Sequence, residues 1–569
     1  MKKFSRYIDK LLLCLEMVSL AFLVSTCSQQ PVDRAEETQA EIKHAAEAVH
    51  LTEDSPIDFS QLDTTHYYYG YVNNNACFFK LNRCLPHGVS GVYYPTDSTS
   101  QWLDPVAFSL KQEEGDLYFI SKGDRKELDF DIVIDEKSIS GSYTDKTNLL
   151  VKSKGHFAFK RYDEPSFHVY KSNRYNSEAF EVEVKKDVKY GHAKGFWTSY
   201  ITNETKFVKM FLSNMGKTFS SKELDLTVDI YMPKGDTVKE HPLFVLLHGG
   251  AFYIGDKGCE TMRIWCEHFA KMGYVVASAN YRMGFMPSKA SIQRCGYEAI
   301  QDANAVMRFL VHNAKEYGID TNNIFVGGTS AGSITMLSMV FMNDINCPDF
   351  VRDRNFKKKL GSLKTSGNNI RQAFRVKAIA NMWGALYDLD EINTRPTPVI
   401  SFHGDKDNLV PFDCGIPFSD VKGKIGERLF DTMYGSKAIH GRLDSLRIRN
   451  EFYPIQGKSH APYEDGNGHV NDIYYFIQDK MQSFFLKELK RVTPIQQVSK
   501  IPIQYAVKQE DIQEIQWKVE GGFIMKRDGN AITVLWRRDA PRHSISASGR
   551  LKNGTPFYLQ KKISKPRHI

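Results

Sequence analysis

Between about residues 185 and 490, short and wholly apolar segments alternate with stretches whose apolar positions repeat at i, i+3 and i+4. "LDLTVDIYMP" reads as an amphipathic strand, and "PLFVLLHGG", "YVVASANYR" and "NIFVGG" as strands buried on both faces. "TMRIWCEHFAKMG", "AIQDANAVMRFLVHNAKEYG" and "ITMLSMVFM" carry the helical spacing. Strands interleaved with helices in this way predict an α/β fold: a doubly wound, mostly parallel sheet covered on both sides, over 185–490. Residues 56–165 follow another pattern. "HYYYGYV", "GVSGVYY", "LYFIS", "FDIVI", "SISGSY" and "HFAFKRY" are short, aromatic and β-branched, with turn residues between them. They predict an antiparallel all-β module, a small sandwich or barrel used for binding or spacing. From about 500 to 569 strands return as "PIQYAV", "QWKVEGGFIMKR", "AITVLWRR", "HSISASGRL" and "FYLQKK", with "RDGN" at 527–530 as a hairpin turn. Two insertions, 347–370 and 413–445, lack apolar periodicity long enough for core helices. They are expected to loop over the C-terminal strand ends, where such sheets build their pockets.

Composition and charge narrow the class. A chain of 569 residues is too long for one ordinary core, and 42% hydrophobic with 25% charged residues is the balance of a folded protein. The net charge of +8 comes without a long Lys/Arg tract interleaved with aromatics, which argues against a nucleic-acid partner. The run Lys357–Lys359 reads as a solvated face. At the N-terminus, Lys2, Lys3 and Arg6 precede the apolar stretch Leu11–Val24 and then "STC". Residues 1–27 thus resemble a bacterial lipoprotein signal, with Cys27 as the lipidated mature terminus and any membrane association confined to that anchor. A plain signal peptide or an uncleaved anchor is the alternative, and each takes the chain out of the cytoplasm. Residues 28–55, rich in Ala, Glu and Gln, read as a tether. Of nine cysteines, Cys14 and Cys27 fall in the signal; the other seven are scattered with no CxxC pair or metal-like spacing, so no metal site is implied. Cys77 and Cys84 are candidates for a bridge across a short hairpin.

Chemistry concentrates in "VGGTSAGSI", residues 326–334. A strand runs into a helix with almost no loop, and Ser330 sits at the bend. Gly328 and Gly332 remove Cβ atoms that would strike the neighbouring backbone, while the helix start presents unpaired N–H groups. A serine hydroxyl attacks a carbonyl only when a base takes its proton and a third group orients the base. Downstream, "TPVISFHGDKDNLVPF" is an apolar strand running into a polar loop. "NEFYPIQGKSHAPYED" is a strand and a loop carrying His460.

Here the sequence resembles the α/β-hydrolase family, on the G-x-S-x-G of Ser330, the H-G-x-x-D-x-x-V-P filled by His403, Gly404, Asp407, Val410 and Pro411, the G-x-x-H of Gly457 and His460, and the "LLHGGAF" of 246–252. The family's order of serine, acid, histidine implies Ser330, Asp407 and His460 as the triad. Asp405 in the same loop is the lesser choice for the acid. His469 in "GNGH" is the rival base, and His440 lies in a polar helical stretch. The resemblance implies an oxyanion hole from Gly249, Gly250 and Ala251 with Ala331, alanine standing where the related lipases have a third glycine. The C-terminal strands resemble the small PKD or Ig-like sandwiches appended to bacterial secreted proteins. The implied activity is cofactor-free hydrolysis of carboxylic esters, on a small acyl ester or an esterified polymer. A serine exopeptidase of the prolyl-oligopeptidase type and a non-catalytic adhesion protein on the same scaffold are the alternatives.

Overall fold

The computed structural model describes residues 64–565, apart from 74, 86–87, 97–101, 114–115, 135–137, 148–151, 200–214, 343–359, 395, 420–424 and 466–468. Residues 1–27, the tether 28–55 and Lys357–Lys359 lie outside the described residues. Among those described, no helix is long and apolar enough to cross a membrane.

The central sheet has eight strands: β1 (Glu181–Gly195), β2 (Lys222–Lys234), β3 (His241–Leu247), β4 (Val275–Ala279), β5 (Ile319–Thr329), β6 (Val376–Met382), β7 (Val399–Gly404) and β8 (Asn450–Ile455). Their spatial order is β1-β2-β4-β3-β5-β6-β7-β8. β1 and β2 are antiparallel to their neighbours, and the pairs from β4 to β8 are parallel. Parallel strands need crossover helices, and among the described residues five cover the sheet: α1 (Glu260–Lys271), α2 (Lys289–His312), α3 (Ala331–Phe341), α4 (Ser436–Ser445) and α5 (Asp472–Leu489). Strand β3 shows why it reads as a continuous apolar run. Leu243, Val245 and Leu247 pack into the core under α2 and α3, while Phe244 and Leu246 pack into the opposite core under α1 and α5.

Residues Tyr67–Tyr162 form a closed antiparallel barrel of eight strands, sealed where Tyr67–Val72 pairs with Ser153–Tyr162. Closure leaves no free edge. Along Asn75–Leu85, Cys77, Phe79 and Leu81 are buried, and the intervening Phe78 stacks on Phe523 of the C-terminal module at 3.9 Å. Cys77 and Cys84 lie on this one strand, seven positions apart. At ~3.3 Å per residue they stand roughly 20 Å apart, so the bridge expected between them is geometrically excluded.

The C-terminal module consists of two facing sheets. One holds Gln496–Lys500, Ile503–Ala506, Ala531–Arg537 and Gly522–Asp528, the other Ile512–Glu520, Ser544–Leu551 and Pro556–Lys562. Trp517, Val534, Trp536, Ile545 and Ala547 fill the space between them. The short strand Trp102–Leu103 leaves the barrel and pairs with Trp536–Arg537, joining the two β modules. Asn553 donates to Asp320 at the start of β5 at 2.8 Å, and Tyr175 bonds to the Asn553 carbonyl, which ties the module to the central domain.

The second insertion meets expectation in part, since Pro417, Phe418, Phe430 and Met433 line the cleft beside Ser330, but it also holds a core helix. Within 413–445, Ser436–Ser445 is helix α4, and Ile439 and Leu443, one turn apart, are buried in the core. Two large apolar residues in ten are too few for periodicity to show. The described part of 347–370 does not overhang the strand ends. Arg308 of α2 donates to the Leu363 and Ser366 carbonyls, and His192 of β1 donates its amide to Gly367.

Candidate active site

Strand β5 ends at Thr329 and α3 begins at Ala331, so Ser330 alone makes the turn, at φ 50° and ψ −120°. A non-glycine residue held there costs ~1–3 kcal/mol, offset by its surroundings. The turn closes because its flanks lack side chains: a Cβ on Gly328 would lie 2.5 Å from the Gly332 carbonyl carbon, and one on Gly332 would lie 2.2 Å from the Leu247 oxygen. The Ser330 amide donates to Met382 of β6 at 2.9 Å, which fixes the bend against the next strand.

Ser330 Oγ lies 2.9 Å from His460 Nε2, and His460 Nδ1 lies 2.7 Å from Asp407 Oδ2. Since the carboxylate only accepts, Nδ1 carries the proton and Nε2 is free to accept from the serine. Asp407 follows β7 and is fully buried, its Oδ1 taking the Leu409 and Val410 amides at 2.9 and 3.0 Å. Burial alone would raise its pKa; the hydrogen bonds from His403 and His460 outweigh that and hold it well below the usual carboxylate range. Asp405 instead accepts from the Gly457 amide at 2.7 Å and shapes the loop that carries His460. His469 is exposed and outside this chain of bonds. His440 is buried and bonded to Asn450 at 2.7 Å.

The sequence matched His403 only as part of a pattern; the structure shows what it touches. Its Nε2 faces Asp407 Oδ2 at 3.2 Å and the Val410 carbonyl at 3.3 Å, both acceptors, so that nitrogen bears a proton. Its Nδ1 is 2.8 Å from Ser436 Oγ, which accepts from Asn381 at 3.0 Å, and Asn381 accepts in turn from Ser333 at 2.6 Å. This buried network joins β6, β7, α3 and α4 behind the acid.

Gly249, Gly250, Ala251 and Ala331 all line the cleft beside Ser330. Gly250 has φ 114° and a Cβ there would meet the Ile254 oxygen at 2.0 Å, while Ala251 and Phe252 follow at φ 52° and 59°. The Tyr253 and Ile254 amides both donate to the Gly250 carbonyl and hold the loop tight. None of the described residues accepts a hydrogen bond from the Gly250, Ala251 or Ala331 amide. His248 stacks on Tyr281 at 4.7 Å and sets the loop's entry. The cleft, of about 810 Å³, is lined mainly by apolar side chains. Among the described residues no group of three or more His, Cys, Asp or Glu side chains is placed to hold a metal ion.

Comparison with known proteins finds esterases. Residues 228–397 match the family model BD-FAE. Over these residues the central domain is similar to esterases of the α/β-hydrolase family. Gut esterase 1 of Caenorhabditis elegans is 31% identical over 118 residues, 20% of this chain and 21% of that protein. Para-nitrobenzyl esterase of Bacillus subtilis (strain 168) is 30% identical over 121 residues, 21% of this chain and 24% of that protein. Probable isoprenylcysteine alpha-carbonyl methylesterase ICMEL1 of Arabidopsis thaliana is 23% identical over 240 residues, 37% and 47% of the two chains. The chain thus spans less than half the length of these relatives. Among solved structures, Thermogutta terrifontis esterase 2 phosphorylated by paraoxon aligns with a TM-score of 0.32 and 22% identity over 47% of this chain and 90% of that one.

Proposed function

We propose that the chain hydrolyses carboxylic esters through an acyl-enzyme on Ser330. The observation that carries this is the relay itself: a hydroxyl on a strained turn, in bonding distance of a histidine whose far nitrogen is held by a buried, ionised Asp407. Ser330 Oγ attacks the ester carbonyl as its proton passes to His460 Nε2. The imidazolium then protonates the departing alcohol, and water deacylates the serine by the same path in reverse. The Ala331 amide and the Gly250–Ala251 amides are the donors for the oxyanion. Every described residue lining the cleft falls between His248 and Glu464, with none from either β module; that favours an esterase over an exopeptidase gated by a cap domain.

The direct test is a fluorophosphonate probe on wild type and Ser330→Ala, with p-nitrophenyl acetate and butyrate turnover. Labelling confined to wild type, with ester turnover, is the expected result. A folded wild type that takes no label and turns over no ester would refute the proposal, and labelling without ester turnover would redirect it to peptide substrates. The oxyanion assignment has its own test. Gly250→Ala must move the loop, given the collision at Ile254, and is expected to lower kcat by ~10²–10³ with a smaller change in KM.

A further inference from the structure

Resting on the esterase proposal, we infer that the acyl group this site receives is a long, unbranched alkyl chain. The cleft does not end around Ser330. It runs as a corridor along α2 and α3, lined by Ile292, Gly296 and Ile300 at successive turns of one helix and by Ile334, Ser338 and, just past the C-terminus, Met342 along the other. At ~1.5 Å of rise per residue, Met342 lies roughly 18 Å along the helix from Ser330. An acetyl or butyryl group would leave most of that length empty.

Most of the corridor's polar side chains are already spent. Thr335 Oγ1 donates back to the Ala331 carbonyl at 2.8 Å, and the Tyr297 hydroxyl donates to Gly361 at 3.2 Å. Gln293 donates to Asp431 at 2.7 Å, and Lys289 pairs with the same carboxylate. Those two contacts also latch the segment carrying Phe430 and Met433 onto α2, closing the corridor from above. A sugar or charged acid entering here would lose hydration and find few partners beyond the Ser338 hydroxyl, whereas each buried methylene is favourable. Gly296 keeps the passage open: a Cβ there meets nothing within 4 Å.

The experiment uses the full chain with p-nitrophenyl esters from acetate to dodecanoate, beside Gly296→Phe, which places a ring in the corridor and does not lower helix propensity. In wild type, kcat/KM is expected to rise about fourfold per methylene beyond butyrate until the corridor is full. In Gly296→Phe the decanoate-to-acetate ratio is expected to fall at least tenfold. As a measurement needing no variant, a dodecyl fluorophosphonate is expected to inactivate wild type faster than its methyl counterpart. Turnover of acetate with no gain from longer chains would overturn this inference and leave the esterase proposal standing. An unchanged ratio in Gly296→Phe would overturn the corridor as the acyl site. A folded chain that takes neither ester nor phosphonate would overturn both.

Discussion

An Asp407→Asn chain is expected to hydrolyse p-nitrophenyl butyrate with kcat lowered by ~10⁴ and KM within a few-fold of wild type. The argument lies in which oxygen can become nitrogen. Oδ1 receives two amide N–H groups, from Leu409 and Val410, so only an oxygen is tolerated there. The new NH₂ must therefore occupy the Oδ2 place, facing His460 Nδ1 at 2.7 Å and His403 Nε2 at 3.2 Å. As a donor it forces His460 into the tautomer protonated on Nε2, which cannot accept from Ser330. It also confronts the proton on His403, so the network through Ser436 has to reorganise. Steady-state kinetics with an unchanged thermal melt would establish the tautomer account; a loss under tenfold would show that Asp407 does not orient the base.

The features that were legible in the sequence are those where backbone geometry leaves few residue choices. The bend at Ser330 admits only small neighbours, so Gly328 and Gly332 announce it. The loop after β3 needs left-handed conformations and shows its glycines. The order of Ser330, Asp407 and His460 then follows the order of β5, β7 and β8, and the structure brings these three side chains together. Strands buried on both faces were plain for the same reason, since a wholly apolar run such as Leu243–Leu247 has few other uses. Elements whose sequence mixes jobs were harder to see. β6 carries Lys377 at one end and the buried Asn381 at the other, because Asn381 serves the network behind the acid rather than the core. β1 is broken by register shifts at Lys185/Val188 and Lys189/Gly191, which interrupt its alternation. Helix α4 hides behind Lys437, His440 and Arg442. The role of His403 depends on Ser436, thirty-three positions later, and no local pattern announces that contact.

The same split between local and long-range information governs the prediction for the base of the oxyanion loop. Asp302→Ala is expected to destabilise the central domain by ~3–5 kcal/mol. Asp302 of α2 is wholly buried and meets the Arg282 guanidinium at 2.8–3.0 Å, besides accepting the Arg282 amide at 2.8 Å. Burial alone would lower the Arg282 pKa, but the carboxylate beside it raises it, so the guanidinium stays charged in the core. Removing the partner leaves that charge with only the Lys194 and Glu298 carbonyls, the Gln301 amide oxygen and a distant Glu298 carboxylate. The consequence reaches the site. Arg282 begins the segment in which Gly284 donates to the Phe252 carbonyl at 2.8 Å, so loosening the pair frees the loop that carries Gly250 and Ala251. Activity should fall at temperatures well below the unfolding midpoint, before the sheet itself melts. The double variant Arg282→Met, Asp302→Leu separates charge from packing. If the cost of Asp302→Ala is an unpaired buried cation, the double variant recovers most of the stability. If the pair instead supplies shape that no apolar residues reproduce, the double variant stays as unstable as the single one.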